Sequence, residues 1–321
     1  MDWERRCMRL CTGVLILAVF LRLWAGGVLV PVGQALRSED AASLLLYLQT
    51  GRVVRLSPAE TVPQALAAPE ETPGFDAGDL ELVKLRDDPG LGPDVRQLLT
   101  QPLALNLADG EPRVLILHTH TTESFAQTED RYEESSPYRT LDPGHNMIAL
   151  GDIVADILTQ AGIGVIHDRQ FHDYPSYNGS YNHAAASTKA YLEQYPTIEL
   201  ILDLHRDAAD TPTGQMVTAC SVGGEKAAQL MFVLGTDKRL KHPDWEKNLS
   251  LALKLQVLLE KENPGICRDL TLSKNRYNQH LGNAALLIEI GAAGNTLAQA
   301  KLAARELGET IALLAQMQND E

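Results

Sequence analysis

The run Val114-Leu115-Ile116-Leu117-His118-Thr119-His120-Thr121-Thr122-Glu123 decides how this chain is read. Four consecutive apolar residues suit a buried strand, and a strand that ends in imidazoles and a carboxylate is how α/β proteins present metal ligands at the C-terminal edge of a sheet. Two later stretches repeat the arrangement. Leu200-Ile201-Leu202-Asp203-Leu204 runs into His205, and Leu286-Leu287-Ile288 runs into Glu289. Three apolar strands, far apart in sequence, would bring His, Glu, His and Glu to one edge of one sheet. That donor set suits zinc.

Working outward, strands and helices alternate from Arg113 onward, the pattern of an α/β sheet. Asp142-Pro143 is placed to open a helix, Leu150, Ile153, Val154, Ile157 and Leu158 follow at helical spacing, and Gly162 closes it. Further expectations are strands over 164–167, 198–204, 229–234 and 285–290, and helices over 181–195, 244–262 and 296–317. The fold expected over 105–321 is α/β: a three-layer, zinc-hydrolase-like domain with a mostly parallel central sheet flanked by helices.

Upstream, Pro58, Pro63, Pro69 and Pro73 break up anything regular beyond a short helix near 41–49. Residues 32–104 therefore read as a membrane-proximal stalk, with 97–107 packing on the domain as its leading edge. In residues 1–31, Arg5, Arg6 and Arg9 precede an apolar stretch over 13–21 that resumes after Arg22. A basic flank before roughly 20 apolar residues is enough to cross a bilayer, and Arg22 inside it costs about 2.5–3.5 kcal/mol on insertion scales. A transmembrane anchor is expected there, with a cleaved signal segment as the alternative. The positive-inside rule puts everything downstream outside the cytoplasm, in a protein held to the cytoplasmic membrane by a single pass.

A formal charge of −14 on 321 residues argues against a nucleic-acid partner, which would demand a basic face. Four cysteines are too few for a disulfide scaffold; Cys220 and Cys267 are the one pair that could bridge in the folded domain, with two separate buried thiols the favoured reading.

His120-x-x-Glu123 puts an imidazole and a carboxylate within reach of one ion, and His205 is the natural third ligand. A His-Glu-His set leaves zinc positive enough to polarise a carbonyl and activate water. Glu289 is then free for proton transfer to the leaving amine, which amide hydrolysis requires. If the strand continues, His118 and His120 share a face, so either binds while the other orients it or stabilises the oxyanion. Asp203, Arg206 and Asp207 read as supports for the ligands and as binders of a substrate carboxylate. His145, His167, His172, His183, His242 and His280 read as surface or cleft residues. Tyr174, Tyr177 and Tyr181 either line a groove for sugar rings or pack a long loop.

Five ordered motifs carry a resemblance: His-Thr-His-Thr-Thr-Glu-Ser at 118–124, Asp-Leu-His-Arg-Asp at 203–207, Asn-Leu-Ser-Leu-Ala-Leu at 248–253, Arg-Tyr-Asn-Gln at 276–279, and Leu-Ile-Glu-Ile-Gly with Asn-Thr-Leu at 287–297. At these residues the chain resembles the stage II sporulation protein P family, membrane-anchored cell-wall hydrolases that endospore-forming bacteria use during engulfment. The resemblance runs from Arg113 to the C-terminus and includes the anchor-and-stalk layout. A wider relationship is to zinc-dependent N-acetylmuramoyl-L-alanine amidases, whose catalytic Glu likewise lies on a late strand shortly before an Asn.

What the resemblance implies is a Zn2+ cofactor, peptidoglycan as substrate, and cleavage of the bond between the muramic acid lactyl group and L-alanine, with additional endopeptidase activity on cross-links. It also implies sporulation stage II proteins D and M as partners, and a substrate-side role for Arg276. In the amidases the Glu ligand lies well downstream of the first His, where this chain offers Asp142 or Glu133-Glu134; Glu123 is the residue assigned. Two other classes share features. A zinc carboxypeptidase or deacylase has the same ligand order but would cut free peptides, and a wall-binding scaffold would lack part of the ligand set, which is complete here.

Overall fold

The computed structural model describes residues 74–103, 105–107, 110–126, 138–212 and 214–319. The membrane span expected over 1–31 and most of the expected stalk lie outside these residues. Among the described residues no helix is long and apolar enough to cross a membrane.

A 3-10 turn at Gly78–Leu82 leads to β1 (Leu85–Asp87) and α1 (Val95–Thr100). Next come β2 (Pro112–Leu117), α2 (Met147–Gln160), β3 (Gly164–His167), α3 (Ser180–Gln194) and β4 (Leu200–Asp207). Two small hairpins follow, β5 (Asp210–Thr211) with β6 (Gly214–Gln215), and β7 (Ala219–Val222) with β8 (Glu225–Ala228). The rest is β9 (Leu230–Gly235), α4 (Trp245–Glu262), β10 (Leu270–Ser273), β11 (Ala285–Ala292) and α5 (Leu297–Asn319).

Seven strands form one sheet in the order β1-β10-β9-β11-β4-β2-β3. All neighbours are parallel except β9 and β11, so the sheet is mostly parallel, as expected, but built of two blocks running in opposite directions. Strands β11, β4 and β2 are adjacent and run the same way. Their C-terminal ends therefore emerge together.

Side chains alternate along a strand, and here the parity sorts them between two apolar layers. Val114, Ile116, Leu200, Leu202, Leu204, Leu286, Ile288 and Ile290 join the larger core, which also takes residues of α2, α4 and α5. Leu115, Leu117, Ile201 and Ala285 join the smaller cluster with Ala184 of α3. Burial on both faces explains the unbroken apolar runs, since each fully buried Leu or Ile contributes about 1.5–3 kcal/mol. The same parity puts Asp203, His205 and Glu289 on the α3 side of the sheet.

The described residues of 97–107 pack on the domain as expected, but the part of the expected stalk from residue 74 to 96 belongs to the folded unit as well. β1 pairs in parallel with β10, and Leu98 and Leu99 of α1 are buried. Three buried polar side chains of α4 fasten this segment. Gln256 accepts from the Lys84 backbone N–H at 3.0 Å and donates to its carbonyl at 3.1 Å, while Glu260 pairs with Lys84 Nζ at 2.9 Å. Lys254 Nζ donates to the carbonyls of Leu98 and Leu99 at 3.1 and 2.5 Å. The domain thus begins upstream of residue 105.

Helix α2 starts later than expected. Asn146 is its cap, accepting from the Ile148 N–H at 3.0 Å, whereas Asp142 closes a turn on the Gly144 N–H at 2.8 Å. Cys220 and Cys267 are both free thiols.

Candidate active site

His205 and Glu289 are register partners on neighbouring parallel strands, so β4 and β11 hold their side chains side by side. Burial pushes the Glu289 carboxyl up to about 8, assisted by the like charges of Glu123 and Asp207 and opposed by His205. Its Oε2 is enclosed and has no hydrogen-bond partner. His205 lies between two carboxylates, with Nδ1 3.6 Å from Glu123 Oε2 and Nε2 3.0 Å from Asp203 Oδ1. Burial alone would depress this imidazole; the facing carboxylates outweigh it and raise its pKa well above the ordinary value. The Nε2 contact is off the line of a hydrogen bond, which leaves that atom partnerless.

Beyond β2 the chain turns, and the turn is fixed by side chains of the neighbouring strand. Asp203 accepts from the Thr119 N–H at 2.8 Å and from its hydroxyl at 2.6 Å. This brings His120 to a ring-centroid distance of 5.3 Å from His205. His120 is buried, its pKa is lowered by desolvation, and its Nδ1 has no partner. Glu123 is held as a carboxylate at about 2: burial opposes ionisation, but His205 and the Arg206 guanidinium more than compensate. The backbone N–H of Arg206 donates to it at 3.2 Å.

His118 is not part of this cluster. Strand β2 ends at Leu117, and His118 follows the parity of Val114 and Ile116, away from His205. Its Nδ1–H donates to the Leu204 carbonyl at 3.1 Å, and its Nε2 is 2.8 Å from Nε2 of His167, whose Nδ1 lies 3.1 Å from Asp152. Complete burial and the neighbouring His167 drop its pKa to about 3. The catalytic role expected for it has no geometric basis here, because both ring nitrogens are engaged behind the sheet.

The expected supporting residues divide. Asp203 acts as described. Arg206 is committed to protein carbonyls, donating to Ser124 at 2.9 Å and Tyr138 at 2.8 Å, which leaves it no reach towards a substrate carboxylate. Asp207 pairs with Arg268 at 2.7 Å. Arg276 donates to the Lys241 carbonyl at 2.9 Å and packs against Gly235 at the end of β9, a strand antiparallel to β11, so it sits at the opposite sheet edge. His172 and His242 are buried rather than at the surface or in a cleft, bonded to Asp168 and Asn248.

Residues not anticipated complete the wall. Arg139 bonds the buried Asp173 at 2.7 Å and lies 3.6 Å from Glu123, and Asp173 also accepts from the Thr122 hydroxyl at 2.7 Å. Only their place beside Glu123 marks them, and that is a long-range fact no local pattern carries.

Two imidazoles and a carboxylate are zinc donors by type, and His120 Nδ1, His205 Nε2 and Glu289 Oε2 are buried polar atoms that make no hydrogen bond, although His205 Nε2 faces the Asp203 carboxylate. Among the described residues no three such side chains stand open about one point; Glu123 and His205 face each other instead. The residues fit the ion in kind and in leaving these atoms unsatisfied.

A family model described as stage II sporulation protein P matches residues 63–312. Stage II sporulation protein P of Bacillus subtilis (strain 168) is 29% identical over 203 residues, 60% of this chain and 48% of that protein, so the chain spans about half the length of this curated relative. Among solved structures, N-acetylmuramoyl-L-alanine amidase AmiC2 of Nostoc punctiforme aligns at TM-score 0.38 and 13% identity, over 67% of this chain and 99% of that one. The apo N-acetylmuramyl-L-alanine amidase Ami1 of Mycobacterium abscessus aligns at TM-score 0.38 and 12% identity, over 65% and 99%.

Proposed function

The chain belongs to the stage II sporulation protein P family, and from that premise we propose that its domain is a zinc-dependent peptidoglycan hydrolase cleaving the N-acetylmuramoyl-L-alanine amide bond. The observation that carries this reading is the pairing of Glu289 with His205. A carboxyl raised to about 8 by burial, with an oxygen left unpartnered, stands beside an imidazole and a carboxylate on the neighbouring strand and turn. That combination is what acid–base work on an amide needs.

His120, Glu123 and His205 would hold the zinc, and the ion would supply Lewis-acid polarisation of the scissile carbonyl. Glu289 takes the proton from the attacking water and delivers it to the departing nitrogen, because an amide anion is too poor a leaving group to depart unprotonated. A nearby cation would lower its pKa from about 8 towards the range in which it can accept that proton. Asp203 holds the turn through Thr119 and keeps His205 oriented. His118 acts from behind, fixing the Leu204 carbonyl one residue ahead of His205.

Residues 1–31 are proposed to tether the enzyme to the outer face of the cytoplasmic membrane, and the sporulation stage II proteins D and M are proposed partners. Endopeptidase cleavage of cross-links is a second proposed activity of the same site. Mass spectrometry of muropeptides released from purified sacculi tests the reading. Free L-alanyl peptides with intact glycan are expected; release of terminal amino acids from free peptides, with sacculi untouched, would point to a carboxypeptidase, and no product with zinc present would refute hydrolysis.

A further inference from the structure

Tyr181 stands on the first turn of α3, the helix that covers the sheet face to which Asp203, His205 and Glu289 point. Its ring meets the His120 ring edge-on at 5.5 Å, and the Tyr277 ring lies 5.9 Å away. Its backbone carbonyl accepts from the Asn278 side chain at 2.7 Å, so the segment after β10 braces the residue where it stands. The side chain is half-buried, its hydroxyl bonds no described residue, and that oxygen is not enclosed. A tyrosine hydroxyl taken out of water ordinarily finds a partner.

The charge around this phenol is one-sided. Burial raises its pKa above the ordinary value, and Asp203, Tyr277, Glu289 and Glu123 push the same way, so it stays an O–H donor throughout the neutral range. The other donors at this edge are taken. Arg206 is bonded to the Ser124 and Tyr138 carbonyls and Arg139 to Asp173, while the hydroxyls of Thr119 and Thr122 go to Asp203 and Asp173.

Hydrolysis of an amide puts negative charge on the carbonyl oxygen as water adds, and beside Glu123, Asp203 and Glu289 that charge needs a donor already in place. We propose that Tyr181 is a catalytic residue whose hydroxyl donates a hydrogen bond to the carbonyl oxygen of the scissile amide, a bond that strengthens as this oxygen becomes an oxyanion. This rests on the amide-hydrolase reading above. As the water oxygen bonds to the carbonyl carbon, the C=O π pair moves onto the oxygen facing Tyr181. One water proton passes to Glu289 and on to the nitrogen, and the pair returns to the C–O bond as the C–N bond breaks, leaving acid and amine. Tyr181 keeps its own proton throughout.

The test uses the full-length chain on purified sacculi. Tyr181→Phe keeps the ring beside His120 and Tyr277 and removes only the hydroxyl; Tyr174→Phe, at a residue 52% exposed, is the control. In Tyr181→Phe kcat should fall about 10²–10³-fold, the usual effect of losing one oxyanion donor, with KM and bound zinc unchanged and Tyr174→Phe at the wild-type rate. A residue that only packed would lower the melting temperature and leave kcat of the folded protein alone. Fluorotyrosines placed at 181 keep the shape and grade the acidity of the hydroxyl, which covers the case of a Tyr181→Phe chain that does not fold; turnover should rise with that acidity. Wild-type kcat in folded Tyr181→Phe, or turnover indifferent to the fluorine series, overturns the inference, and so does loss of zinc in Tyr181→Phe, which would make the hydroxyl a ligand. Wild type that releases no muropeptide overturns the hydrolase reading and the role of Tyr181 with it, a result set apart from the others because the control is then equally silent.

Discussion

His205 is the residue on which both strand neighbours converge, and its replacement is the plainest test of the site. His205→Ala should remove zinc and activity together, since a three-ligand site with an open position cannot absorb the loss; elemental analysis showing stoichiometric zinc in the variant would contradict the ligand assignment. Glu289→Gln should retain the metal while turnover on sacculi drops about 10²–10⁴-fold, and loss of zinc there would make Glu289 a ligand. The same residue predicts a pH effect in the metal-free protein. Its folded pKa of about 8 lies above the ordinary 4.5, so its contribution favours folding below about 4.5 and is lost as the pH rises to about 8. Glu123 runs the other way: held at about 2, it favours folding above 4.5 and loses that effect as the pH falls towards 2. The melting temperature of wild type relative to metal-free Glu289→Gln should therefore decline between pH about 5 and about 8; a constant difference would refute the raised pKa. The sequence named His120, Glu123, His205 and Glu289 because each follows an apolar run. It left His118 and His120 open because that choice depends on where β2 stops, a matter of one residue.

At the scale of elements, β2, β4 and β11 and the four longer helices were legible because hydrophobic periodicity is a local property. Strand β10 was not legible, since Leu-Thr-Leu-Ser is too short to signal alone, nor was β1, whose three partly exposed residues become a strand only by pairing with β10. The Asp142-Pro143 signal failed because its acid closes a turn and Asn146 caps the helix. Helix α2 also shows why a glycine stands mid-helix. A Cβ at Gly151 would lie 2.4 Å from His167 Nε2 and 2.7 Å from His118 Nε2, so only glycine lets this helix close over the two imidazoles. Gly151→Ala should cost about 1–3 kcal/mol despite alanine's better helix propensity, because overpacking outweighs it. Chemical denaturation showing equal or greater stability would mean that the histidine pair is not tightly packed.

On the scale of the whole molecule, the segment over 74–100 is what separates the domain from its lead-in. A chain beginning at residue 105 would uncover the edge of β10, strip the buried Lys254 of the Leu98 and Leu99 carbonyls, and take from Gln256 and Glu260 their bonds to Lys84. It should melt well below a chain beginning at residue 74 and aggregate at concentrations where the longer one stays monomeric; equal melting curves would show the segment to be an ornament. An enzyme leashed to a membrane at one end and working on a polymer under turgor, as proposed above, would also be a mechanical joint. Tension arriving through residue 74 would meet first the Asp79–Lys261 pair and the Lys84 clasp on α4 and then a three-residue ladder, four strands away from β4 in the sheet order. A pull strong enough to peel that edge would spend itself there, slackening the leash by about thirty residues before His205 and Glu289 felt any load. Tethered in that way, the domain would carry its own shock absorber.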